Sequence, residues 1–110
     1  MTSVKFLIDE KCIYGFSISG HSSKNGDDEV GKIVCSAVSS AAYMTANTIT
    51  EIIGEKADIT VSDAHINLCV KNPSKQTVVL LEGLKLHLEQ LSDQYSNNIK
   101  IIGGANNVKD

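Results

Sequence analysis

Arginine and tryptophan are absent from the 110-residue sequence, and its ten basic residues are all lysines. Without a guanidinium group, the chain lacks the bidentate fork that usually grips phosphates and base edges. The formal net charge of −3 at pH 7 adds no attraction for a polyanion. We therefore expect no direct nucleic-acid ligand.

Long apolar runs are also missing, because none approaches the roughly 20 residues that span a bilayer. Residues 1–11 lack the basic start, apolar middle and small-residue cleavage site of a secretory leader. Cysteine is scarce: Cys12, Cys35 and Cys69 stand at irregular spacings, and their odd number favours free thiols in a reducing compartment. These absences predict a soluble, cytoplasmic protein with no membrane partner.

The length and the 42% apolar content fit one domain that spans residues 1–110. Apolar residues alternate with polar ones in the strand-like runs and recur at steps of three and four in the helical runs. A helical stripe extends from about Val30 to Ile53, with Gly54 to end it. Its members are Val30, Val34, Ala37, Val38, Ala41, Thr45, Thr48, Ile49 and Ile52.

Seven elements are predicted in the order ββαββαβ. Two helices over one face of a mostly antiparallel sheet would bury these stripes, so the predicted fold class is α+β, a two-layer sandwich. The expected elements are strands near 4–8 and 14–18, a helix near 30–53, a hairpin with arms at 59–61 and 66–70 and a bend at Ser62-Asp63-Ala64, a second helix with a seam from Leu81 to Tyr95, and a last strand at 99–102.

Two candidate reactive residues lie at the start of the polar stretch from Gly20 to Gly31 and just after its end. This stretch predicts a long mobile loop, in which residues 22–29 have no apolar anchor and are expected to act as a lid. His21 begins the loop, and Cys35 follows in the first or second turn of the next helix. A helix N-terminus favours the thiolate and an imidazole serves as its base, as a cysteine nucleophile requires. Taken alone, the pair also fits a buried core cysteine and a solvated loop histidine.

Cofactor chemistry has little support in the sequence. The segment 26–32 matches the G-x-x-x-x-G-K phosphate loop, but Ile33 replaces the hydroxyl residue that holds Mg²⁺ and three acidic side chains would repel phosphate. On a strand, His65 and Cys69 stand roughly 13 Å apart, which is too wide for one metal ion. We expect neither a cofactor nor a metal.

Two blocks of the sequence resemble those of the ribosomal-processing cysteine protease family: Gly20-His21-Ser22, and Ile33-Val34-Cys35-Ser36-Ala37-Val38-Ser39 at the head of a helix. The resemblance extends over nearly the whole chain. It implies a homodimeric endopeptidase that trims the N-terminal extension from the precursor of large-subunit ribosomal protein twenty-seven. By the same resemblance, His21 is the general base, Cys35 the nucleophile and Ser39 a helper on the same helical face.

One departure from the family concerns the residue three positions before the cysteine, which is usually Asp and here is Lys32. Asp27, Asp28 and Glu29 are the carboxylates that remain to orient the histidine. The Lys32 ammonium, one helical turn before the thiol, is expected to favour the thiolate. The departure leaves a second function open, a non-catalytic ribosome-associated binding module of the same fold.

Overall fold

The computed structural model describes residues 1–20, 29–63 and 65–102. Of the lid expected at residues 22–29, residues 22–28 lie outside these ranges. The acidic residues Asp27 and Asp28 and the expected base His21 lie outside them as well. The elements are β1 (Thr2–Ile8), β2 (Ile13–Ser19), α1 (Glu29–Asn47), a π-helical turn (Thr48–Ile53), β3 (Asp58–Ser62), β4 (His65–Cys69), α2 (Lys75–Gln94) and β5 (Ile99–Ile102). Their order confirms the predicted ββαββαβ arrangement and the α+β class.

The five strands form one sheet in the order β3-β4-β2-β1-β5. β5 runs parallel to β1, and every other neighbouring pair is antiparallel, as predicted. At the turn from β1 to β2, the Asp9 carboxylate accepts hydrogen bonds from the N–H groups of Lys11 and Cys12, at 2.8 and 3.0 Å. These bonds close the connection between β1 and β2.

The core lies between the sheet and the two helices. Paired residues have their side chains on the same face of a sheet, so each row of partners faces one layer. Two rows face the helices: Val61, Ile66, Ile18 and Val4 in one, and Ile59, Leu68, Phe16 and Phe6 in the other. All of these side chains are buried except the two that belong to β3.

α1 begins at Glu29, one residue before the predicted start and inside the expected lid. Its buried side differs from the predicted stripe, because Gly31, Ala42 and Ala46 are buried whereas Val30 is exposed. Small residues let a helix approach a sheet closely. The contact line of α1 therefore includes its glycine and two of its alanines, and the predicted stripe was wrong at Val30.

The second half of the predicted helix 30–53 is not a regular α-helix, because residues 48–53 form a π-helical turn. The hydroxyls of Thr45, Thr48 and Thr50 donate to carbonyls four residues earlier, a pattern that bends helices. A π turn contains about one extra residue. The chain therefore returns to the buried side of the helix one residue later than in an α-helix. This explains why Ile52 is exposed, contrary to the predicted stripe.

Gly54 ends the π-helical turn with φ = 81°, in the left-handed region that glycine adopts without strain. Its N–H donates to the Ile49 carbonyl, so the predicted stop is confirmed. The predicted seam of α2 is also confirmed, since Leu81, Leu84 and Leu88 are buried. No helix in the described ranges is long and apolar enough to cross a membrane.

A carboxylate fixes the start of α2. Ser74 is the N-cap, and its hydroxyl accepts from the Thr77 N–H at 3.2 Å. Glu55, across the connection, accepts from the Ser74 N–H at 3.0 Å and from the hydroxyls of Ser74 and Thr77. The Thr77 hydroxyl first, and then the Ser74 groups, hold the pKa of Glu55 below its ordinary value of 4.5. Glu55 thereby ties the end of the π-helical turn to the first turn of α2.

We expect Ser74→Ala to lower the free energy of unfolding by about 1 kcal/mol, the usual loss on removing an N-cap hydroxyl. Glu55→Gln should also destabilise the protein at pH 7. Because the pKa of Glu55 is lower in the folded than in the unfolded protein, its charge stabilises the protein above the unfolded-state pKa. That contribution is lost as the pH falls through the folded-state pKa. The difference in unfolding free energy between wild type and Glu55→Gln, measured by urea unfolding, should therefore be larger at pH 7 than at pH 3. A gap of equal size at both pH values would contradict the role given to the Glu55 charge.

Candidate active site

One end of the sheet gathers chain segments that are distant in sequence. The register pairs Ser62 with His65 and His65 with Ser19, so β3 ends, β4 begins and β2 ends side by side. β1 also begins there, because Ser3 pairs with Ser19. The chain that leaves β2 through Gly20 therefore starts at this end of the sheet.

Gly20 has φ = +77°, and a Cβ atom built on it would lie 2.7 Å from the carbonyl oxygen of Met1. Both facts require glycine at this position. The left-handed conformation turns the backbone away from the strand direction, and the missing side chain lets it pass close to the N-terminal residue. The glycine predicted as part of the motif thus has a conformational reason to be there.

α1 supplies the thiol. Cys35 is the seventh residue of the helix, in its second turn, within the predicted range. Cys35 and Ser39 are both half-buried, and Tyr43 is partly exposed. These residues are spaced by four and so share one side of α1, next to its buried side. Ser39 therefore lies on the same helical face as Cys35, as predicted.

The thiol side of α1 and the gathered strand ends enclose a small cleft of about 90 Å³. This volume is roughly that of three water molecules. Its floor is apolar, through Ile18 and Ile66, and its rim is mostly polar. The residues lining the cleft are Thr2, Ile18, Gly20, Cys35, Ser39, Tyr43, Ser62, Asp63, His65 and Ile66.

The structure adds His65, Asp63 and Tyr43 to the site, and sequence reasoning missed all three. His65 is exposed on β4. Its position at the end of the sheet, however, also brings it to the rim of the cleft. Only the pairing of β4 with β2 produces this neighbourhood, and no local pattern signals it.

Lys32 is exposed on α1, one turn before Cys35. It makes no salt bridge with the part of the chain that the structure describes; the ion pair found there joins Lys85 to Glu89. Glu29, a candidate partner for the histidine, is the first residue of α1 and is exposed.

The first turn of α1 comprises residues 29–32. Cys35 is one turn further along, so its own N–H takes part in the regular helical pattern. Helical side chains lean toward the N-terminus, which directs the Cys35 side chain back toward that first turn. The helix dipole weakens beyond the first turn, and its effect on Cys35 is smaller than at the helix end.

The three cysteines are free thiols, and each is half-buried. Outside the segments that the structure leaves undescribed, no group of three or more His, Cys, Asp or Glu side chains could hold a metal ion. The residues that line the cleft therefore carry one thiol, four hydroxyls, an imidazole and a carboxylate above an apolar floor.

This fold with a thiol in its cleft corresponds to a class of small cysteine proteases. The family model of cysteine protease Prp matches residues 1–100, and the chain belongs to that family. The protein is thus a cysteine protease. No curated protein matches the chain.

Solved structures share the fold at low sequence identity. The Prp protease of Staphylococcus aureus in complex with a substrate peptide is 18% identical, with a TM-score of 0.84 over 93% of this chain and 98% of that one. Its complex with a covalently linked product peptide is 19% identical, with a TM-score of 0.77 over 92% and 97%. A Streptococcus mutans protein is 17% identical, with a TM-score of 0.81 over 93% and 97%.

We expect Gly20→Ala to lower the free energy of unfolding by about 1–2 kcal/mol, because any other residue is strained in the left-handed region. The close Met1 carbonyl adds to this loss. Gly83→Ala is the matched control, since Gly83 lies in α2 with no atom within 4 Å of an added Cβ. This substitution should stabilise the protein by about 0.5–1 kcal/mol. Urea unfolding measures both changes, and shifts of the same sign would contradict the role given to Gly20.

Proposed function

We propose that Cys35 and His21 form the catalytic dyad of an endopeptidase that removes the N-terminal extension of large-subunit ribosomal protein twenty-seven. The observation that carries this proposal is that Gly20 and Cys35 line the same cleft. His21 follows Gly20 directly, and neighbouring Cα atoms are ~3.8 Å apart. Because β2 ends at this cleft, we expect the histidine that follows it in the sequence to reach the thiol. The match to the Prp family supports the same pair.

The proposed reaction is acyl transfer through a thioester. The Cys35 thiolate attacks the scissile carbonyl carbon, and the His21 imidazolium gives its proton to the leaving amine as the C–N bond breaks. Water then loses a proton to His21 and attacks the thioester, which releases the new carboxyl end and regenerates the thiol. The positive end of the α1 dipole is proposed to stabilise the oxyanion.

Supporting roles are proposed for the polar residues around the dyad. Ser39 lies on the same face of α1 as the thiol and lines the cleft, where its hydroxyl is available to the substrate or to the imidazole. Asp27, Asp28 or Glu29 would orient the histidine in place of the family's aspartate. Lys32 would favour the thiolate through its charge.

The substrate assignment rests on family membership and on the relatives whose structures contain peptides. The Staphylococcus aureus relative is a ribosomal processing protease solved with a substrate peptide. By that likeness, we propose that this chain acts on a ribosomal protein precursor in the cytoplasm. Neither a metal nor an organic cofactor is needed for the thioester route.

We expect Cys35→Ala to abolish cleavage of the precursor, because the nucleophile is lost and a small residue replaces a small one. His21→Ala should lower the rate at least about a hundredfold, as for a general base. Mass spectrometry of the precursor after incubation with each variant gives both the rate and the cleavage point.

Matched controls separate the dyad from general effects of substitution. Cys69→Ala removes a half-buried thiol from the opposite end of β4, and His87→Ala removes an exposed imidazole from α2. Both should cleave as wild type. Cleavage by Cys35→Ala would contradict the assignment of the nucleophile. Loss of cleavage in His65→Ala with activity retained in His21→Ala would transfer the base to His65, and a wild type that binds the precursor without cutting it would favour the non-catalytic module.

We also propose a homodimer, which the family resemblance implies. The sheet leaves two outer strands, β3 and β5, and the helices expose large apolar side chains at Met44 and Leu86. Surfaces of both kinds favour self-association. Sedimentation equilibrium should therefore give twice the chain mass of 11.8 kDa. A monomer at tens of micromolar would contradict the proposal.

A further inference from the structure

The helix-facing side of β3 is apolar and uncovered. Ile59 and Val61 pair directly with Leu68 and Ile66, so their side chains lie on the face that the helices cover elsewhere. Leu68 and Ile66 are 1% and 7% exposed, whereas Ile59 and Val61 are 41% and 51% exposed. The helical layer therefore stops at β4. We refer to Ile59 and Val61 as the β3 ledge.

The β3 ledge is continuous with the Cys35 cleft. Ser62 and Asp63 follow Val61 directly, and both line the cleft together with Cys35. On the helix side, Tyr43 lines the same cleft two turns after the thiol. A chain segment that lies along β3 therefore reaches the thiol when it passes Ser62.

The outer edge of β3 has no neighbouring strand within the described part of the chain. Along such an edge, alternate residues direct their N–H and C=O groups outward, and an extended chain pairs with them. All five residues of β3 are exposed, so side chains do not block the edge. Strand addition of this kind is a common mode of peptide recognition.

We propose that β3 binds the substrate as an added strand, an extended peptide whose apolar side chains at alternate positions contact the β3 ledge. The inference rests on the proposed function, because it takes Cys35 as the nucleophile to which the peptide is delivered. Backbone hydrogen bonds to β3 hold the peptide extended, and the ledge selects apolar residues at positions i and i+2 on one side of the scissile bond. The substrate class is therefore an extended segment with apolar alternation, rather than a single side chain in the 90 Å³ cleft.

The first test is Val61→Asp, with Val79→Asp as the matched control. Val79 is an exposed valine on α2, 70% exposed and not part of the cleft lining. Losing the contact of one buried valine is worth about a tenfold change in binding. We expect kcat/KM for the precursor to fall about tenfold or more in Val61→Asp, chiefly through KM, and to stay within about twofold in Val79→Asp. Equal kcat/KM in Val61→Asp and wild type would overturn the inference.

Val61→Thr keeps the shape and the strand preference of valine, and it covers the case in which the aspartate variant fails to fold. It should show a smaller rise in KM in the same direction. A second copy of this chain is the other occupant that would fit the β3 edge. Sedimentation of the Val61 variants separates the two, because conversion of a dimer to a monomer with unchanged kcat/KM would overturn the substrate role.

Backbone methylation of the substrate tests the strand pairing itself. In a peptide copying the cleaved region of the precursor, N-methyl groups placed one position at a time remove single N–H donors. Pairing to one edge predicts a period of two, in which methylation slows cleavage at every second position on one side of the scissile bond. Uniform effects with no alternation would overturn the inference.

These outcomes are distinguishable from failure of the proposed function. Modification of Cys35 by iodoacetamide, located by mass spectrometry, should proceed equally in wild type and Val61→Asp, because the reagent is too small to need the ledge. Cleavage that persists in Cys35→Ala would remove the proposed function. Cleavage that depends on Cys35 but not on Val61 or on the methylated position would contradict only the role of β3.

Discussion

The pairing of β2 with β1 on one side and β4 on the other is the constraint on which the rest of the structure depends. β2 is the middle strand, and Phe16 and Ile18 on it are buried beneath the helices. Because side chains alternate, a shift of one residue in either register would turn this apolar set to the open face. The same register places Gly20 and His65 at the end of the sheet where α1 presents Cys35. Core packing and the assembly of the cleft are therefore fixed by one set of hydrogen bonds.

The cleft combines groups held in different ways. Cys35 lies on a helix whose neighbouring side is buried against the sheet, so packing of Val34 and Val38 sets its position. Gly20 is fixed by its left-handed backbone and by the close Met1 carbonyl. A thiol placed by core packing depends little on which residue occupies the exposed position of Lys32.

Much of the fold follows from sequence patterns, and the exceptions have identifiable physical causes. Period-two and period-3.6 patterns predict the order of the elements, and the motif residues Gly20 and Cys35 do line one cleft. The π-helical turn was missed because it depends on threonine hydroxyls competing for carbonyls, which leaves the apolar pattern intact. His65 was missed because it reaches the cleft through strand pairing. The residues next to it in the sequence carry no information about that pairing. Ile59 and Val61 have the alternation of a half-buried strand, and only the width of the helical layer shows that they are exposed.

That width follows from simple geometry. Strands are spaced about 4.8 Å apart and packed helices 8–10 Å apart, so each helix covers roughly two strands. Two helices therefore cover four of the five strands, and one strand at an edge of the sheet must keep its apolar face open. In this chain the open strand is β3, the outer neighbour of β4. The end of β3 and the Cys35 face of α1 line the same cleft. A third helix would bury Ile59 and Val61 and add stability, but it would also block the approach to the thiol along β3. The uncovered face of β3 therefore reduces the apolar burial of the fold and at the same time provides the surface proposed for the substrate.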